Sequence, residues 1–208
     1  MIWTWHRSMK SFVYLASQSP RRRQLLEQLG VTHELLLPDD EEDAEGLEAV
    51  LPREAPLAYV QRVTQLKLDA GLLRRKRRKL PAAPVLCSDT TVALGRVILG
   101  KPLDAADAAR ILSALSGKTH RVLTAVAMGT DRQRQQAVSI SRVTFAPMSP
   151  AQIQAYVATG EPMGKAGAYG VQGRAAAHIS HISGSYSGIM GLPMFETNEL
   201  LRAFGLGL

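Results

Sequence analysis

The start of the chain runs a strand directly into a helix. Phe12-Val13-Tyr14-Leu15-Ala16 is short, apolar and β-prone, and Ser19-Pro20 then supplies an N-cap and a first-turn proline. Leu25, Leu26 and Leu29 recur at helical spacing, and Gly30 offers the stop. The free N–H groups of that helix start face the same way as Arg21 and Arg22. A helix start is the positive end of the dipole and favours acids, so paired arginines there call for an anion such as a phosphate chain. Arginines that simply face water are the plain alternative.

Further along, helices and strands alternate without internal repeats, which predicts a mixed α/β sheet. Strands are expected over 31–37, 85–94, 97–99, 119–128, 136–146 and 175–182. Helices are expected over 56–73, after the Asp104 cap, after Ser149-Pro150 and over 193–204. In the helix over 56–73 the apolar side reads as Tyr59, Val63, Leu66 and Leu73. An acidic loop, with Asp39 to Asp43 consecutive, lies before it, and 161–173 is glycine-rich and polar.

The formal net charge is +7, and six positive charges sit in the single run Arg74 to Lys79. No aromatic is interleaved for base stacking, so the run reads as a solvated linker and nucleic acid as an unlikely partner. Cys87 is the only cysteine, which excludes an internal disulfide and points to a reducing, cytoplasmic setting. No apolar run approaches the roughly 20 residues that span a bilayer. Residues 1–9 lack the continuous apolar core of a signal peptide and are expected to be a tail, with Met9 an alternative start and 10–208 a single domain.

Asp89 is the strongest candidate for chemistry. With Ser88, Thr90 and Thr91 it interrupts an otherwise apolar strand, and buried polar groups cost free energy unless paired or aimed at a ligand. A carboxylate there can hold a divalent metal or activate water. Gly95 to Pro102 nearly spells a P-loop, but Pro102 replaces the hydroxyl that holds Mg²⁺, leaving Lys101 as a lone phosphate cation. Glycines at 164, 167, 170 and 173 allow the backbone close to a ligand, and Gln172 offers a donor beside an acceptor. His178 and His181 fall on opposite faces of a strand, and Gly184-Ser185-Tyr186-Ser187-Gly188 fails the nucleophile-elbow pattern.

Taken in order, these stretches carry a family resemblance. Leu15-Ala16-Ser17-Gln18-Ser19-Pro20-Arg21-Arg22, Ser88-Asp89-Thr90-Thr91-Val92, Gly100-Lys101-Pro102, Leu115-Ser116-Gly117-Lys118-Thr119-His120, Lys165-Ala166-Gly167-Ala168-Tyr169-Gly170-Val171-Gln172-Gly173 and Gly184-Ser185-Tyr186-Ser187-Gly188 resemble the Maf family of nucleoside triphosphate pyrophosphatases, over about residues 12 to 204. The resemblance implies an α/β fold with a mixed twisted sheet in two lobes around a cleft, similar to the inosine triphosphate pyrophosphatases. It implies hydrolysis of a nucleoside triphosphate to the monophosphate and pyrophosphate with a divalent cation, Mg or Mn, and a homodimer. By position it makes Asp89 the proton acceptor and ties Arg21, Thr90 and Gln172 to base choice. Ser17, Arg22, Lys67 and Lys101 align with other cleft residues. Glu42, with Glu41 the neighbouring alternative, aligns with an acid that would share the metal with Asp89. Gln172 suits the edge of uracil or thymine, where a related branch carries Glu and prefers 7-methyl-GTP. A nucleotide-binding regulator of cell division with weak catalysis is a third reading.

Overall fold

The computed structural model describes residues 12–39, 42–43 and 46–207. The expected tail, 1–9, and Glu41 lie outside the described residues. The elements are β1 (Val13–Leu15), α1 (Pro20–Gln28), β2 (His33–Leu35), α2 (Pro56–Arg77), β3 (Val85–Leu94), β4 (Val97–Leu99), α3 (Ala105–Leu115), β5 (Thr119–Gly129), β6 (Arg134–Phe145), α4 (Pro150–Val157), β7 (Ile179–Ser183), α5 (Tyr186–Met190) and α6 (Met194–Ala203). The strands form one mixed sheet in the order β2-β1-β3-β5-β6-β7, with β4 added to β3.

The pairing of β3 positions the site. One side of β3 is paired with β5 along most of its length. On its other side β1 runs parallel to it only at Val85 and Leu86, and β4 runs antiparallel to it only from Val92 to Leu94. Residues 87–91 therefore lack a strand on that side, and the ladder opens around Asp89. Side chains of β3 alternate between faces. Val85 and Cys87 join the core under α2 with Leu68 and Leu72, and Asp89 follows them to that face. Leu86 joins Leu25, Leu26, Leu200 and Leu201 on the face covered by α1 and α6, and Ser88 and Thr90 follow it. A third core packs α3 and α4 against β5, β6 and the segment Ala168 to Ala175.

Local rules account for the ends of α1. The Ser19 hydroxyl accepts a hydrogen bond from the Arg22 amide, Pro20 occupies the first turn, and Gly30 follows the C-cap at φ +68°. In α4 Ser149 is the N-cap and Pro150 follows it as expected, and Gln152 adds a complete capping box.

Three sequence expectations are corrected. The basic run is no linker: α2 continues through Arg77, and Arg74 and Arg75 are buried. Cations complement the negative end of the helix dipole, and here they also find acids on neighbouring loops. Arg74 and Arg77 bind Glu42, Arg77 and Arg78 bind Asp39, and Arg75 binds Asp131. The buried side of α2 is Val60, Val63, Thr64, Leu68, Gly71 and Leu72 as well as Tyr59, whereas Leu73 is 64% exposed. Gly71 belongs to that face because a Cβ there would come within 2.9 Å of Val85. The strand expected over 175–182 begins only at Ile179, after a short 3₁₀ turn, Arg174–His178. Among the described residues no helix is long and apolar enough to cross a membrane.

Candidate active site

The open ladder exposes Asp89 to α2 and to the loop before it. Lys67 Nζ donates to Asp89 Oδ1 at 2.6 Å and to Glu48 Oε1 at 2.7 Å. Lys101 Nζ, just beyond β4, donates to Glu48 Oε2 at 2.7 Å. Burial would raise the Glu48 carboxyl, but Lys67 and Lys101 outweigh it and hold the group below the usual range. The Tyr59 hydroxyl donates to the Glu48 backbone carbonyl at 2.9 Å and fixes the turn that presents this acid. Burial, with the charges of Asp89 and Glu48, raises the Tyr59 phenol, which stays protonated and available to donate.

Across the opening the first turn of α1 meets the α5 segment. Arg22 Nε donates to the Gly191 carbonyl at 2.8 Å, and its terminal nitrogens reach Ser17 Oγ and Thr90 Oγ1, both at 3.4 Å. Arg21 Nε donates to the Met190 carbonyl at 3.2 Å. Ser88 Oγ donates toward the same Gly191 carbonyl at 2.9 Å, and Thr124 Oγ1 donates to Gly188 at 2.7 Å, so β3 and β5 hold the segment that aims both guanidinia. Neither arginine pairs with a carboxylate among the described residues. Burial lowers both pKa values, and at Arg22 the charge of Asp89 opposes it.

These two groups face one cavity of about 430 Å³, lined among others by Ser17, Arg21, Arg22, Glu48, Lys67, Asp89, Thr90 and Lys101. The family model for Maf-like proteins matches residues 12–204. The chain belongs to the Maf family. It is 75% identical over 197 residues to a dTTP/UTP pyrophosphatase of Albidiferax ferrireducens, covering 95% of this chain and 98% of that protein. A dTTP/UTP pyrophosphatase of Polaromonas is 71% identical over 195 residues, covering 94% and 96%. One from Cupriavidus metallidurans is 65% identical over 198 residues, covering 95% and 99%.

Seven of the expected site residues thus line the cavity of this Maf chain: Ser17, Arg21, Arg22, Lys67, Asp89, Thr90 and Lys101. Two expected residues stand elsewhere. Gln172 is exposed, with its Oε1 3.5 Å from where a Cβ on Gly170 would sit. Glu42 is held by Arg74, at 2.5 Å from Nη2, and by Arg77, at 2.7 Å. Its hydrogen bond from Arg74 draws its pKa down to about 2. Glu48, which sequence reasoning missed, joins Lys67 and Lys101 instead. Its position in a three-residue 3₁₀ turn, Gly46–Glu48, leaves no periodic signal to find it by.

The latch at Glu42 has a stability consequence. Glu42→Ala leaves the buried Arg74 guanidinium without its acid and is expected to cost about 3 kcal/mol in urea unfolding at pH 7. Because the folded pKa is depressed, this contribution is present above the ordinary glutamate range and fades as pH falls toward about 2. Wild type and variant therefore converge in acid.

A divalent cation is compatible with these residues. The Lys67 ammonium already occupies a position shared by Asp89 and Glu48, where a positive charge meets two carboxylate oxygens. No cluster of three or more His, Cys, Asp or Glu side chains forms among the described residues. Two carboxylates with phosphate oxygens and water are a usual set for Mg²⁺.

Proposed function

We propose that this Maf protein hydrolyses dTTP and UTP to the nucleoside monophosphate and pyrophosphate. The observation that carries the reading is the pairing of Asp89 and Glu48 with Lys67 and Lys101 in the cavity that Arg21 and Arg22 also line. The names of relatives at 65–75% identity support the choice of substrate.

Asp89 gives Oδ1 to Lys67, which leaves Oδ2 to accept a proton from a water aligned with the α-phosphorus. Arg22, fixed by Gly191, Ser17 and Thr90, neutralises phosphate oxygens without reorganising. Lys101 and Lys67 face the charge that builds on the departing pyrophosphate. A divalent cation, Mg or Mn, held by Asp89 and Glu48 would polarise the phosphate and lower the pKa of a bound water. In this reading Glu48 takes the role expected of Glu42. The same proposal includes two lobes about the cleft, the homodimer that the resemblance implies, and a cytoplasmic nucleotide pool as the place of action.

Hydrolysis of dTTP in ¹⁸O-labelled water tests the reaction. The label is expected in dTMP, with unlabelled pyrophosphate. Label in pyrophosphate, or release of dTDP and orthophosphate, contradicts attack at the α-phosphorus.

A further inference from the structure

The cavity is charged unevenly. Lys67 and Lys101 are matched by Asp89 and Glu48. Arg21 and Lys165, which line the same cavity, have no carboxylate partner among the described residues, and each meets a backbone carbonyl: Met190 for Arg21, Glu161 for Lys165. The Glu161 carboxylate is engaged by the Tyr156 hydroxyl at 2.8 Å and the Arg174 amide at 3.0 Å. Burial, then the charge of Arg21, pushes the Lys165 ammonium down, while Glu161 opposes them.

The wall beside the Lys165 loop is apolar. Val92, Val122, Tyr169, Val171 and Ile189 line the cavity and belong to one buried cluster. Such walls suit a flat ring and not a phosphate, whose oxygens need donors on all sides. The loop that carries Lys165 is clamped over them. Gly167 donates its N–H to the Gly100 carbonyl at 3.0 Å, its φ is +71°, and a Cβ there would meet the Val92 side chain at 2.8 Å. The Lys165 Cε and Gln172 Oε1 flank Gly170 together, at 3.4 and 3.5 Å from the position of a Cβ.

We propose that Lys165 recognises the base, donating from its ammonium to the O4 carbonyl of a uracil or thymine ring seated on this apolar wall, with Gln172 beside it. The proposal rests on the dTTP/UTP reading and deepens it. An ammonium donates three hydrogen bonds and accepts none. A ring carbonyl satisfies it. The amino group that cytosine carries in place of O4, a donor, does not, and a cationic ring such as 7-methylguanine is repelled. Lys165 thereby supplies discrimination that Gln172, able to donate and accept, does not supply alone.

The test compares Lys165→Met and Lys165→Arg with wild type on UTP, CTP and 7-methyl-GTP, with tripolyphosphate inhibition measured alongside. Loss of one charge-assisted hydrogen bond is expected to lower the UTP/CTP ratio of kcat/KM by about tenfold or more in Lys165→Met, chiefly through KM. The 7-methyl-GTP/UTP ratio rises, tripolyphosphate inhibition holds, and Lys165→Arg restores most of the preference. An equal loss on every nucleotide, weakened tripolyphosphate inhibition, or an unmoved UTP/CTP ratio overturns the assignment. Titration calorimetry with UMP and CMP, on Lys165→Gln as a second variant, reads the same preference without turnover. If wild type releases no pyrophosphate from UTP, the catalytic reading fails by itself, and equal UMP preference in both proteins overturns the role of Lys165.

Discussion

Asp89→Asn is expected to lower kcat for dTTP by about 10²- to 10⁴-fold, the range of a lost general base. The substitution preserves shape and still accepts a hydrogen bond from Lys67, so folding and nucleotide affinity should change little. It removes the charge that, in the proposed mechanism, takes the proton from water, and half of the pair that faces Lys67. Steady-state kinetics with dTTP, beside a binding measurement with dTMP, separates the two effects. Near-normal kcat with unchanged metal dependence would exclude Asp89 as the proton acceptor.

The second large effect separates two glutamates. Glu48→Gln is expected to reduce kcat/KM by about 10²-fold and to raise the Mg²⁺ concentration needed for half-maximal rate, because the carboxylate proposed to hold the cation and the partner of Lys67 and Lys101 are lost together. Glu42→Gln is expected to leave turnover within about a factor of two, since its carboxylate serves Arg74 and Arg77. The reverse pattern, a silent Glu48→Gln and an inactive Glu42→Gln, would return the metal to the acid that the sequence alone suggests.

This contrast also marks what could be read without coordinates. Strand β3 was legible because a long apolar run with polar residues at its centre has few other uses, and its bounds match the expectation of 85–94. The Ser19-Pro20 start of α1 was legible because capping chemistry is local. Six cavity residues lie within the ordered motifs, and Lys67 followed only from the alignment that the resemblance implies. Glu48 did not, because what brings it to Lys67 is the path of a loop that crosses 19 residues of sequence, and no periodicity records that. Arg74 was misread for the same reason: a run of cations looks solvated until the acid 32 residues upstream is placed against it. Helix α5 was hidden by its bracketing glycines, although Ser185 caps it by accepting from the Gly188 amide. The open side of β3 was also invisible, since it depends on two short strands reaching different ends of one long one.

Pyrophosphate release across a nucleotide panel decides whether the protein is a metal-assisted pyrophosphatase selective for dTTP and UTP. The protein is offered dTTP, UTP, CTP, GTP and 7-methyl-GTP in turn, with Mg²⁺ or Mn²⁺ and with chelator. Pyrophosphate is expected from dTTP and UTP, dependent on the cation, and little from the other three. Turnover confined to a purine or methylated nucleotide, or no pyrophosphate from any of them, would contradict it.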